Sequence, residues 1–221
     1  MPATGSMASP SSFFPPFGLR IEAGALVLRP ITDEVLAELV DLALAGIHDP
    51  ERMPFAVPWT DAPAAELPLR FAQYHWGLRS AWRRERWQLE LAVEHAGRIV
   101  GVQGFATTDY LLTRSGETGS WLGRQFHGHG IGTAMRQAIC AFCFDHLQAE
   151  QVTSGSFVDN PASAAVSRKV GYRPNGLRRM TRRPGERQDN QDWLLTPDRF
   201  VRGAPITVTG AAAFREFIGL A

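Results

Sequence analysis

Apolar and polar positions along this chain repeat with two periods, and each change of period marks the edge of an element. Residues 24–30 form a short apolar run closed by proline and read as a strand. Thr32 has the side chain of an N-cap, and Asp33 and Glu34 suit a first helical turn. Val35, Leu36, Leu39, Val40 and Leu42 then recur on one helix face, and Gly46 ends the run. Residues 48–63 carry four prolines and no period, which predicts a loop. Helical spacing returns over 66–86 through Leu69, Phe71, Trp76, Leu78 and Trp82, with an arginine-rich solvated end. Alternation over 87–94 predicts a strand, and 98–106 returns as a second, joined to it by the turn chemistry of Ala96 and Gly97. Gly101 and Gly104 predict local bends in the second.

Residues 109–117 read as a loop and 119–123 as a strand. A long apolar helix starts near Thr133 and runs to about Ala149. A strand over 151–158 follows. Asn160 is the cap of a short helix over 162–169, Pro161 occupies its first turn, and Gly171 ends it. Residues 173–190 are charged and read as a loop, 191–195 as a last strand and 197–202 as a helical turn. A connector then leads to a short helix over Ala211–Ile218, with Thr209 available as its cap. The order β-α-(α)-β-β-β-α-β-α-β-β gives an α/β class with a mixed central sheet and helices on both faces. Residues 1–18, rich in Ser and Pro, are expected to be a flexible arm. Residues 19–202 form the domain and 203–221 a C-terminal extension, packed on the body or on a second copy in a homo-oligomer.

Composition narrows the function mainly by exclusion. The length, 221 residues, suits one domain with an ample core. A formal net charge of +1 gives no reason to expect nucleic acid as a partner. No apolar run approaches the roughly 18 residues that cross a bilayer, so no membrane span is expected. The first residues lack the charged and apolar regions of a secretory signal, and the expected compartment is the cytoplasm. Cys140 and Cys143 sit in an apolar helical run with no second pair, so they read as core residues. Lys169 is the only lysine, and abundant Ala, Gly, Pro and Arg suggest a GC-rich bacterial genome.

The candidate chemistry lies between the strand at 119–123 and the long helix. Gly128, Gly130 and Gly132 alternate along the loop. Glycines before a helix start leave backbone N–H groups unpaired, let an anion come close to the backbone and add the positive end of the helix dipole. A pyrophosphate is the natural guest. The loop lacks the Lys-Ser/Thr of a P-loop, and both registers of G-x-G-x-x-G fail at Thr133 and Met135. The loop does fit Q/R-x-x-G-x-G/A as Gln125-x-x-Gly128-x-Gly130, and again as His127-x-x-Gly130-x-Gly132 with histidine replacing the usual first residue. The second places its last glycine against the helix. Downstream, residues 158–172 read VDNPASAAVSRKVGY.

These two blocks together resemble the GNAT superfamily of acyl-CoA N-acyltransferases, and within it the RimJ/RimL-like branch of actinobacterial type, some members of which are assigned as succinyltransferases. The resemblance spans about residues 24–196. It implies the GNAT fold, with strands 119–123 and 151–158 splaying to form a cleft for the pantetheine arm. It implies an N-acyltransferase that moves an acyl group from a CoA thioester to a primary amine by direct attack in a ternary complex. The donor it implies is acetyl-CoA or succinyl-CoA, without a metal, and the acceptor is an amine on a small molecule or a protein. The alternative on the same fold is a non-catalytic acyl-CoA sensor. A third reading is an unrelated α/β protein whose loop takes another nucleotide.

Carried over residue by residue, the resemblance gives His127, Gly128, His129, Gly130, Ile131, Gly132 and Thr133 as backbone contacts to the pyrophosphate. Ser120, Trp121 and Leu122 would meet the pantetheine, and Asn160 would either bond it or act only as a helix cap. Arg124 would meet a CoA phosphate or be plain surface charge. Many relatives place a tyrosine where this chain has Ser167, so Ser163 becomes the candidate to serve the leaving thiolate. Glu117 is the candidate base, with Asp109 and Glu94 behind it. Gln103 and Ser120 are the polar cleft positions for an acyl carboxylate. Met53, Phe55 and Trp59 are candidate acceptor contacts or aromatics that pin their loop to the core.

Overall fold

A computed structural model describes residues 9–220 of the chain. In order, the elements are α1 (Pro10–Phe13), β1 (Arg20–Ala23), β2 (Leu26–Pro30), α2 (Asp33–Leu44), α3 (Leu67–Ser80), β3 (Arg86–His95) and β4 (Arg98–Thr108). Then come α4 (Tyr110–Thr113), β5 (Ser115–Leu122), α5 (Ile131–Asp145), β6 (Gln151–Phe157), α6 (Pro161–Val170), β7 (Arg173–Arg183), β8 (Glu186–Leu195), β9 (Ile206–Thr209) and α7 (Ala211–Ile218). The strands form one nine-stranded sheet in the order β7-β8-β6-β5-β4-β3-β2-β1-β9. Only β5 and β6 run parallel; every other pair is antiparallel.

Alternation along the central strands feeds two cores. Leu89, Leu91, Val93 and Phe105 point to the face covered by α5 and α7, where they meet Met135, Ile139, Phe142 and Phe214. Ala92 and Val102 point to the opposite face and pack with Val35, Leu36 and Leu39 of α2 and Phe71 of α3. Local signals set the edges. The Thr32 side chain accepts from the Val35 N–H, Asn160 caps α6 by accepting from the Ser163 N–H, and Gly171 closes α6 at φ 103°. Ala96 and Gly97 both adopt positive φ in the β3–β4 turn.

The structure differs from the sequence expectations in several places, among them that the helix expected over 66–86 ends at Ser80 and that α4 lies in the loop expected over 109–117. Residues 10–18 are not a free arm: Phe14 meets Phe17, Trp82 and Phe217 edge-on, and Pro16 is buried. Residues 1–8 of that expected arm lie outside the described residues. The expected loop at 173–190 is the β7–β8 hairpin; β7 is exposed on both faces along most of its length, so no apolar alternation marks it. The C-terminal extension is part of the domain: β9 pairs with β1, and Phe214, Ile218 and Leu220 are buried. β5 begins at Ser115, so Glu117 sits within a strand rather than a loop. The long helix begins at Ile131, because Gly130 at φ 80° caps it.

Candidate active site

The site is built where β5 and β6 part. They pair at Ser115–Thr118 with Gln151–Ser154, and no further. β5 continues to Leu122 bonded only to β4, and β6 continues to Phe157 bonded only to β8. A wedge-shaped gap therefore opens beyond Thr118 and Ser154, with backbone groups on both walls that have lost a strand partner. Gly101 is required behind the β5 wall, since a Cβ there would meet Leu122 Cα at 2.9 Å. The splay expected from the resemblance is present.

The open end of the gap leads to the glycine loop. The N–H groups of Gly128, His129, Gly130, Ile131 and Gly132 have no acceptor among the described residues. Gly128 and Gly130 both lie at φ 80°, and nothing stands within 4 Å of a Cβ at either. The flanking amides are spent internally: His127 N–H donates to Arg124 O at 3.2 Å and Thr133 N–H to Gly130 O at 3.1 Å. The cradle is thus five residues long, two shorter than the expected 127–133. The His127 ring bonds Leu122 O at 3.0 Å and pins the loop to the end of β5. His129 and Arg124 are exposed. The free amides and the dipole of α5 fit a diphosphate.

On the α2/α3 face a groove of about 840 Å³ crosses the sheet and reaches Glu117. The register Glu90↔Gly104↔Gly119 makes a row on this face, and Gly155 pairs with Asp192 beyond the gap. Gly104 is needed beneath Glu90, whose Cδ would lie 2.8 Å from a Cβ there. Burial pushes the Glu90 carboxyl up to about 7, partly opposed by the hydrogen bond from Gln88. The Glu117 pKa is also raised, first by desolvation and then by the charge of Asp192, while Arg178 and Arg136 pull it down. Glu117 is nonetheless open along the groove. The groove therefore presents the Glu117 carboxylate, suited to receiving an ammonium group and its proton, while Glu90 lines a separate small cleft with Phe17, His75 and Arg79.

Other expected residues are sorted by their contacts. Asn160 spends Oδ1 on the Ser163 N–H at 3.1 Å, and its Nδ2 has no partner among the described residues. Ser163 is half-buried in the first turn of α6, and Ser167 is fully buried with its Oγ unpartnered. Gln103 is fully buried and spends Nε2 on Gly104 O and Gly119 O, so it holds the strand rather than offering a free donor. Trp121 packs on Trp59 at 5.7 Å, and Trp59 on Phe55 at 5.5 Å and Phe71 at 5.6 Å. That cluster roofs the β5 wall. Met53 is fully buried and is not a surface contact. Glu94 pairs with Arg29 at 2.9 Å, three strands from the gap, and Asp109 lies beyond the strand end at a turn. Cys140 and Cys143 are buried; desolvation holds the first thiol near 11 and the second well above its ordinary value, so neither is a nucleophile.

Sequence reasoning passed over Arg136, Ser156 and Trp193. Arg136 rises from α5 under the gap, donating to Ser154 Oγ at 2.9 Å and Ser120 Oγ at 3.0 Å. Its signal in the sequence was a lone charge within an apolar helical run.

Comparison with known proteins agrees with this geometry. The family model described as an acetyltransferase (GNAT) domain matches residues 25–173. The curated relative "Putative ribosomal N-acetyltransferase YdaF" of Bacillus subtilis (strain 168) is 28% identical over 118 residues, covering 52% of this chain and 64% of that protein. The chain thus spans a little under two thirds of that relative's length. Mycobacterium smegmatis RimJ in complex with CoA-disulfide has a TM-score of 0.70 at 23% identity, covering 90% of this chain and 92% of that one. RimL, a ribosomal L7/L12 alpha-N-protein acetyltransferase in complex with coenzyme A, has a TM-score of 0.63 at 17% identity, covering 80% and 96%. The structural likenesses establish the fold, and the family match over more than half of the sequence establishes membership: the chain belongs to the acetyltransferase (GNAT) family.

Proposed function

We propose that this protein is an N-acyltransferase that moves an acyl group from a CoA thioester to a primary amine on a protein, by direct attack with both substrates bound. The observation that carries the proposal is the run of five unpaired amides, Gly128–Gly132, at the start of α5, opening onto the gap between β5 and β6. The diphosphate would lie on those amides, and the unpaired edges of β5 and β6, with Asn160 Nδ2, would hold the pantetheine. This places donor and acceptor on opposite faces of the sheet, meeting at the gap, and holding both reactants supplies much of the rate. Glu117, its carboxyl raised by burial, takes the proton of the attacking amine. Ser163, at the start of α6, is the group that protonates the sulfur once it has left.

A protein acceptor is supported by the names of the relatives, YdaF and RimL, and by the size of the groove of about 840 Å³ that reaches Glu117. Acetyl is the donor group carried by one compared structure, an MccE acetyltransferase bound to acetyl-CoA and AMP. A succinyl donor is a second reading, favoured by Arg136, which is 4% exposed beside the gap and forms no ion pair among the described residues. Isothermal titration with CoA tests the proposal at its root, and no binding at millimolar ligand would end it. Competition between acetyl-CoA and succinyl-CoA then ranks the donors. Free-thiol release on adding ribosomal-protein amines separates an enzyme from a sensor.

A further inference from the structure

Ser120 and Ser156 stand on opposite walls of the gap. Each lies two residues beyond the last β5–β6 partners, Thr118 and Ser154, so both side chains project to the same face, that of α5. Each hydroxyl oxygen accepts a hydrogen bond from behind: Ser120 Oγ from Arg136 Nη2 at 3.0 Å, Ser156 Oγ from Trp193 Nε1 at 3.0 Å. Neither hydroxyl donates to another described residue, so each keeps its proton for the gap. Arg136, Ser156 and Trp193 are 4%, 5% and 1% exposed, and Arg136 Nε has no partner. A buried guanidinium without a carboxylate is costly, and it becomes favourable when negative charge arrives beside it.

We propose that Ser120 and Ser156, held by Arg136 and Trp193, form a two-hydroxyl anion hole that takes the negative charge of the departing CoA sulfur. The inference rests on the acyl-transfer reading above. In the step it serves, the amine nitrogen bonds to the acyl carbon and the carbon–sulfur bond breaks. The electron pair leaves on sulfur as thiolate, and the amine proton passes to Glu117. The hydroxyls donate to that thiolate, and the donors behind them strengthen the interaction. Arg136 and Trp193 act through the serines and are positioning residues. The other ionisable groups against Arg136, Cys140 on α5 and Tyr172 after α6, are held neutral by burial. Glu117, on the other face of β5, feels the Arg136 charge but forms no ion pair with it.

The test measures affinity for CoA and for desulfo-CoA, in which hydrogen replaces the thiol, by calorimetry from pH 7 to pH 10. An anion hole lowers the bound thiol's pKa, so the ratio of CoA to desulfo-CoA affinity rises with pH, at least about tenfold across this range. Ser120→Ala and Ser156→Ala, small changes that keep the fold, each cut that rise at least about threefold. Arg136→Lys, which keeps the charge but loses the two-pronged reach, gives an intermediate rise. A flat ratio in the unmodified protein, or a rise unchanged in both serine variants, overturns the anion hole while leaving CoA binding intact. Failure of both ligands to bind overturns the acyl-transfer reading and the anion hole together.

Discussion

Thr118 and Ser154 are the last partners that β5 and β6 share, and the glycines just beyond them keep the opening clear. Gly119 faces the groove side, with nothing within 4 Å of a Cβ and no positive φ. Gly119→Leu is therefore expected to fold with a stability change within about 1 kcal/mol. The added side chain would occupy the route from the groove to the gap. CoA affinity should stay within about threefold, while transfer to an amine falls at least tenfold. Calorimetry with CoA and free-thiol release measure the two separately; loss of both together would contradict this geometry.

Gly130→Glu attacks the cradle itself. The substitution places a carboxylate among the five unpaired amides and forces a non-glycine residue to φ 80°, which costs about 1–2 kcal/mol. CoA binding should fall at least a hundredfold, with a modest drop in the thermal midpoint. Gly130→Ala separates the causes, since it carries the strain without the charge. It should retain measurable CoA affinity, and equal losses in both variants would show that strain alone was responsible.

The parts legible in the sequence were those with a local cause. Asn160, Pro161 and Gly171 bracket α6 because caps act within one turn, and Ala96-Gly97 marks its hairpin for the same reason. The glycine cradle was legible too, apart from its ends, where His127 and Thr133 turn their amides inward. β7 was not: with Arg173, Arg178 and Arg179 exposed at the sheet edge, it has no buried face to print a period. β9 is four residues long and gains its place only by pairing with β1 across the whole chain. The Arg136 cluster was equally hidden, because positions 120, 136, 156 and 193 meet only once the sheet has formed.

Two carboxylates on this face of the sheet, Glu117 in the groove and Glu90 outside it, respond to pH in different ways. Glu117 acts as base only when ionised, and burial raises its pKa above 4.5, so kcat should fall with acidity at a higher pH than for a free glutamate. Glu117→Gln should lower kcat by about 10²–10⁴ at neutral pH and remove that acidic limb. A pH–rate profile of both proteins checks this.

Glu90 bears on stability instead. Its folded pKa, about 7, exceeds the unfolded value of 4.5, so the folded state holds the extra proton between those limits. Folding is therefore penalised progressively as pH rises from 4.5 through 7, and not below 4.5. Glu90→Gln should be neutral near pH 4 and stabilising at pH 8. The shift sets a ceiling of about 3 kcal/mol, and the partial exposure of Glu90 reduces it to order 1–2 kcal/mol. Urea titrations at the two pH values decide it; an equal effect at both would assign the change to packing.

The β7–β8 hairpin is tied to the loop that carries Phe55 and Trp59. Arg183 Nε and Nη2 donate to the two carboxylate oxygens of Asp61 at 2.6 and 3.0 Å, and Nη2 also reaches Pro50 O at 3.1 Å. Breaking this tie in Arg183→Ala should loosen the loop without unfolding the domain, because the pair is solvent-facing and the loop's aromatics still rest on Trp121. Amide exchange over residues 50–61 should accelerate at least about fivefold while the global unfolding midpoint stays put. The Arg183 hydrogen bond holds the Asp61 pKa below its ordinary 3.8, so the tie is complete above that value and is lost only as pH falls through the lowered one. The variant's effect should accordingly be the same at pH 6 and pH 9. If the loop gates the acceptor, the variant changes the acceptor KM and leaves CoA affinity alone; a change confined to CoA affinity would instead place the loop on the donor side.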